Sequence, residues 1–184
     1  MPSTKTAKTR TSKATSKTPS QRAFGNLGPA TFTSISRNQV APLLRQALSP
    51  YFTKLMYSLH FEVGVEKGGR LRADVVCVKM DRSVTIVEVK SGWQDFAADH
   101  KWQRYLPFCN QFYFAVSDAL WDTHAGRLKE ALAGSGAGVI VCRAGGPVRK
   151  VLPAAKRKTA PARRIWLFTK LAWIAGLSRA RRVN

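Results

Sequence analysis

At 184 residues the chain is long enough for one domain with a sizeable core plus tails. Its net charge of +21 points to a polyanionic partner, nucleic acid first, an anionic membrane surface second and an acidic protein a distant third. Cys77, Cys109 and Cys142 are widely spaced, and His60, His100 and His124 show no ligand spacing, which argues against a zinc site or a disulfide framework.

The charge is unevenly placed. Residues 1–61 carry nine basic residues and no acid, residues 62–130 carry ten of each, and residues 131–184 carry twelve basic residues and no acid. A charge-balanced core flanked by two basic arms is the pattern of a protein that binds a phosphate backbone. The scattered thiols read as small buried hydrophobes in a reducing compartment. No apolar h-region follows the N-terminus, so no secretory signal is expected. The longest apolar run, Ile165 to Leu177, is interrupted by Lys170 and is too short to span a bilayer. The expected setting is cytoplasmic and nucleoid-associated, in a bacterium or encoded by a virus or mobile element.

In chain order, residues 1–23 are Ser, Thr, Lys, Ala and Arg with hardly an apolar anchor, which predicts a disordered basic arm. Its Lys5, Lys8, Arg10, Lys13 and Lys17 would touch phosphates without reading sequence. An organelle transit peptide shares that composition, but the arm lacks the amphipathic apolar stripe. A folded domain is expected over residues 24–155, and a basic C-terminal helix packing on it over 156–184.

Val40, Leu43, Leu44, Ala47, Leu48, Phe52, Leu55, Met56 and Leu59 recur near i, i+3, i+4, so Gln39–Leu59 is predicted as an amphipathic helix. Pro42 suits its first turn, and Pro50 should kink or split it. Ser58–Val65 reads as a first strand, with Lys67-Gly68-Gly69 as the turn out of it.

The centre of the chain is a predicted hairpin. Arg72–Val78 and Val84–Lys90 are β-branched runs separated by the polar break Asp81-Arg82-Ser83. Glu88 and Lys90 are two apart and share a face. With the turn centred on Asp81, Asp74 falls directly opposite Glu88, with Cβ atoms roughly 5 Å apart. Two carboxylates that close repel by ~3 kcal/mol at an effective dielectric near 20. Something positive must offset this, and a divalent metal with oxygen ligands fits. Two acids holding a metal, with a lysine beside an attacking water, make a site able to cleave a phosphodiester. A Glu-x-Lys alternation is ordinary on a solvated strand; here Val87 and Val89 make the strand look internal, and buried acids are rarely left unpaired.

Trp93 to about Leu106 reads as a helix stopped by Pro107, with Asp95, Asp99 and Trp102 on one face as a solvated edge. Lys101 or Gln103 is the candidate there for positioning a phosphate. Gln111–Val116 is an aromatic strand, Thr123–Ala133 a helix, Gly134-Ser135-Gly136 a flexible connection, and Gly138–Cys142 an apolar strand. Beyond Lys150 the chain is basic, with Lys156, Arg157, Lys158, Arg163 and Arg164 as further phosphate contacts. Ile165–Leu177 is apolar nearly all round, suiting a helix docked on the sheet, an interfacial helix, or tryptophans stacked on unpaired bases. The elements together predict an α/β fold with a mixed central β-sheet flanked by helices.

Asp74 followed after thirteen residues by Glu88-Val89-Lys90 resembles the PD-(D/E)XK nuclease core. Ala73 stands where the superfamily's name places proline. The wider run through Asp95-Phe96, Asp99-His100-Lys101-Trp102 and Phe112-Tyr113-Phe114-Ala115-Val116 is similar to the MmcB-like branch, bacterial proteins of DNA repair, over roughly residues 40–170. The resemblance implies a restriction-endonuclease-like core and a Mg²⁺-dependent DNA endonuclease of repair or recombination type, with Mn²⁺ able to substitute. It implies metal binding by Asp74, Glu88 and the Val89 carbonyl, with Glu62 as an optional extra acid, and a water-orienting or activating role for Lys90. A catalytically weak or inactive DNA-binding adaptor of the same fold is the first rival, and a membrane-surface protein driven by the C-terminal segment the second. DNA is the expected partner, no membrane is expected, and a homodimer would suit a branched substrate.

Overall fold

The computed structural model describes residues 35–183. The expected basic arm, with Lys5, Lys8, Arg10, Lys13 and Lys17, lies outside the described residues. Helix α1 (Arg37–Lys54) buries Val40, Leu44, Leu48 and Phe52, one residue per turn along a single face. Pro42 and Pro50 both lie inside it, so Pro50 does not split the helix. Proline removes one backbone bond to the preceding turn, and burial of Phe52 two residues later carries the helix through its last turn.

Strands β1 (Tyr57–Gly64), β2 (Arg72–Lys79) and β3 (Val84–Val89) form an antiparallel meander. Strands β4 (Gln111–Ser117) and β5 (Gly138–Cys142) follow in parallel, and β6 (Val148–Leu152) closes the sheet antiparallel. The spatial order is the sequence order, β1 to β6. The hairpin has the register that a turn centred on Asp81 dictates, with Val75 opposite Val87 and Val78 opposite Val84. The Asp81 carboxylate supports the turn by accepting the Ser83 N–H at 2.8 Å.

Helix α1 ends at Lys54, short of the expected Leu59, which lies in β1, and four later elements also differ from their sequence reading. The helix expected over Trp93–Leu106 is two short pieces, α2 (Trp93–Ala97) and a 3-10 turn (Trp102–Phe108). The break falls at Asp99, whose carboxylate accepts the Lys101 N–H at 2.9 Å and takes a second partner just past the end of β3, described below. Helix α3 (Asp118–Ala131) starts five residues before Thr123, because the Ser117 hydroxyl caps the Leu120 N–H at 3.1 Å. The connection after it is pinned rather than flexible: Arg157 Nη2 donates to the Ser135 carbonyl at 2.6 Å, and Gly136 has φ of 69° where a Cβ would meet that same nitrogen. Strand β6 forms where the sequence shows only the start of the basic chain. It is an edge strand with Arg149 and Lys150 exposed, charges that blunt the sheet edge against further pairing.

Helix α1 covers one face of the sheet, over Val75, Cys77, Val87, Val89, Tyr113 and Ile140. The other face is covered by Phe96 of α2, Trp102 and Tyr105 of the 3-10 turn, Leu120 and Leu128 of α3, and Leu167 and Leu171 of α4 (Pro161–Val183). The architecture is α/β, a six-stranded mixed sheet flanked by helices, compatible with a restriction-endonuclease-like core. All three cysteines are buried free thiols, and burial pushes Cys109 and Cys142 up to about 12. Among the described residues, no helix is long and apolar enough to cross a membrane.

Candidate active site

Asp74, Glu88 and Lys90 meet where β2 and β3 part. The ladder between these strands stops at Val75 opposite Val87. One pair further on, carboxylates take over from backbone carbonyls. The Asp74 N–H donates to Glu88 Oε1 at 3.1 Å, and the Val89 N–H donates to Asp74 Oδ2 at 2.8 Å. Side chains thus satisfy donors that the diverging backbones leave behind. Asp74 lies across the strands from Glu88, as the hairpin register requires.

The row extends by one more acid. Phe61 opposite Val75 and Val63 opposite Ala73 bracket Glu62 opposite Asp74. Glu62 has φ of 53°, a left-handed conformation unusual for a non-glycine strand residue. Its carboxylate is held by two arginines, Arg45 Nη2 at 2.6 Å and Arg72 Nε at 3.0 Å. The same Arg45 nitrogen donates to Asp74 Oδ1 at 2.9 Å. A guanidinium from α1 therefore bridges two of the three acids, a residue that its place beside the core stripe did not single out.

Glu88 has no such partner. It is only 7% exposed, and burial, reinforced by the Asp74 charge, raises its carboxyl to about 8. The Tyr105 hydroxyl belongs to the same region and donates to the Arg72 carbonyl at 2.7 Å; burial and then the Glu88 charge hold its pKa well above the ordinary value. Lys90, buried, is tied by its Nζ to Asp99 Oδ2 at 2.6 Å. Asp99 is thus not the solvated edge residue that a continuous helix would have made it. Asp95 is, accepting the Ser91 N–H and hydroxyl at 2.9 and 3.0 Å.

The family description "DNA repair protein MmcB-like" matches residues 29–183. The chain belongs to the MmcB-like family. Among solved structures, this MmcB-like chain is similar to the SPO1766 protein of unknown function from Silicibacter pomeroyi. Identity is 27%, the TM-score 0.62, and the match covers 82% of this chain and 90% of that one. A search of curated proteins found no match. The family ties the chain to DNA repair.

The basic residues expected to contact DNA are not all brought to this site. Lys101 is exposed two residues after Asp99, whose carboxylate accepts its N–H. Lys156 and Lys158 are exposed but flank Arg157, whose N–H donates to the Asn110 carbonyl, where Asn110 in turn holds the Val84 N–H. That is the opposite end of β3 from Glu88, four residues or roughly 13 Å along the strand. The Arg157 guanidinium turns inward: Nη2 donates to the Ser135 carbonyl, and Nη1 is buried and meets no partner among the described residues. Arg163 is exposed and stacks over the Phe108 ring at 5.3 Å, while Arg164 is half-buried. Lys170 of α4 comes nearer the acids, donating to the Gly64 carbonyl at 2.6 Å beside the Glu62 end of β1.

Among the described residues, no group of three or more His, Cys, Asp or Glu side chains is gathered to hold a metal ion. The donor set fits a divalent cation at Asp74 and Glu88, where two acids share one partly buried place and burial, reinforced by the Asp74 charge, outweighs the pull of Lys90 and raises Glu88 to about 8. It does not fit at Glu62, whose charge is already met by Arg45 and Arg72.

Proposed function

We propose that this MmcB-like protein is a Mg²⁺-dependent endonuclease of DNA repair, hydrolysing phosphodiester bonds at the Asp74–Glu88–Lys90 end of β3, and that it belongs to the PD-(D/E)XK superfamily. The observation that carries the reading is the pairing of Asp74 and Glu88 across the open end of the hairpin, with the buried Lys90 one residue past the end of β3. The ion would be held by Asp74, Glu88 and the Val89 carbonyl, and would supply polarisation of the phosphate and acidification of a water molecule.

The chain's own residues do the rest. Val89 N–H fixes the orientation of the Asp74 carboxylate. Asp99 fixes Lys90 through one of its three donors, leaving two for a phosphate oxygen or a water. Lys90 thereby orients the nucleophile and offsets charge developing on the phosphate. The Tyr105 hydroxyl is engaged by the Arg72 carbonyl rather than free as a nucleophile, so direct attack by water is the route. Lys101, exposed beside Asp99, supports a phosphate contact next to the site, and Lys156, Lys158 and Arg163 serve the flanking duplex.

Arg45 favours a second reading, a DNA-binding adaptor without catalysis: a cation already sits on Asp74. A labelled panel (duplex, nicked, flap, four-way junction and single strand) incubated with Mg²⁺, Mn²⁺ or EDTA separates the two. The endonuclease cuts at least one substrate in a metal-dependent way, and Lys90→Ala abolishes cutting while binding persists. Tight binding of the panel with no cutting by either metal assigns the adaptor.

A further inference from the structure

We infer that Arg45 is an internal counter-ion that closes the acid row to divalent cations until a DNA phosphate draws it away. This rests on the metal reading above and adds to it a residue that couples substrate to metal.

Arg45 spans the row from above. One nitrogen, Nη2, serves both Glu62 at 2.6 Å and Asp74 at 2.9 Å. Nε is buried and meets no acceptor among the described residues. The guanidinium is therefore held by charge, without the two parallel bonds that make arginine–carboxylate pairs strong. Its side chain is 31% exposed, and its partners Asp74 and Glu62 are 20% and 36% exposed, so a ligand can reach the contact from solvent.

A divalent cation and a guanidinium cannot both lie against the Asp74 carboxylate without strong like-charge repulsion. Glu62 can keep charge balance when Arg45 leaves, because Arg72 Nε also holds it. A DNA phosphate offers Arg45 the planar two-point partner that the acid row does not. DNA should then raise affinity for the metal, and by linkage the metal should raise affinity for DNA.

The test is Mn²⁺ binding to the full chain, read from the free-ion EPR signal, with and without duplex DNA and with DNA-alone controls. Without DNA, Arg45→Met should bind Mn²⁺ about tenfold more tightly than wild type, a coupling of ordinary size. Arg45→Lys, which keeps the charge, should stay near wild type. Duplex DNA should tighten Mn²⁺ binding to wild type by a similar factor and barely change Arg45→Met. The wild-type comparison with and without DNA stands even if Arg45→Met fails to fold. Equal Mn²⁺ affinity in wild type and Arg45→Met, lost in Asp74→Ala, overturns the Arg45 inference and keeps the metal site. No Mn²⁺ binding by any form, with or without DNA, overturns both.

Discussion

Two cation–carboxylate pairs flank Glu88, and they differ in burial. Lys90 and Asp99 are 7% and 12% exposed and meet at 2.6 Å. Arg45 and Asp74 are 31% and 20% exposed and meet at 2.9 Å. The first pair is sealed from solvent, with Lys90 lying over the Phe114 ring at 5.7 Å. The second lies where solvent reaches it. A sealed pair fixes a side chain in place, whereas an open pair of the same chemistry can exchange one partner for another. The lysine is thus built as a permanent part of the site and the arginine as a replaceable one.

The largest effect should come from breaking the sealed pair. Asp99→Ala strands a buried ammonium, and chemical denaturation should show a loss of about 3–5 kcal/mol. Equal stability of Asp99→Ala and wild type would remove the contrast. Next comes the acid between the pairs. Because the folded state raises Glu88 to about 8 from an ordinary 4.5, the folded protein holds that proton more tightly than the unfolded chain. Stability should be greatest below pH ~4.5 from this group and be lost as pH rises through about 8. Glu88→Gln should flatten that slope and, in denaturation at pH 9, exceed wild type by about 2–4 kcal/mol. A wild-type protein whose stability is unchanged across this window contradicts the burial of an uncompensated carboxyl.

Breaking the open pair should matter least to the fold. Arg45→Met should shift stability by about 1 kcal/mol or less, as half-exposed ion pairs do. A loss as large as that of Asp99→Ala would show that the two pairs are equivalent. A second arginine sharpens the point. Arg157→Ala should lower the melting temperature and leave the salt dependence of DNA binding unchanged, since its guanidinium holds the Ser135 carbonyl. Lys158→Ala should do the reverse, leaving melting unchanged and reducing the log–log salt slope by about 0.9.

What the sequence disclosed follows from how far apart the interacting residues lie. Asp74 and Glu88 are joined by a short turn, so alternation and one turn centre are enough to place them opposite each other. Helix α1 follows from apolar spacing alone, through Val40, Leu44, Leu48 and Phe52. Arg45 was invisible for the converse reason: it lies 29 residues from Asp74, and only the packing of α1 on the sheet brings them together. Asp99 was misread because spacing suggested a continuous helix, whereas one carboxylate with two partners, the Lys101 N–H and Lys90 Nζ, breaks it. Strand β6 was hidden because an edge strand carries charge at positions where an internal one is apolar. Arg157 looked like a member of a basic run, and nothing in Lys156-Arg157-Lys158 distinguishes the one residue that turns inward.

The most direct test is a crystal of the full protein grown with duplex DNA and Mn²⁺, with anomalous differences recorded at the manganese edge. The account predicts a peak between the Asp74 and Glu88 carboxylates, with Arg45 moved off Asp74 onto a phosphate. DNA bound with Arg45 still on Asp74 and no peak beside Glu88 would contradict it and leave a DNA-binding protein whose acid row is neutralised from within.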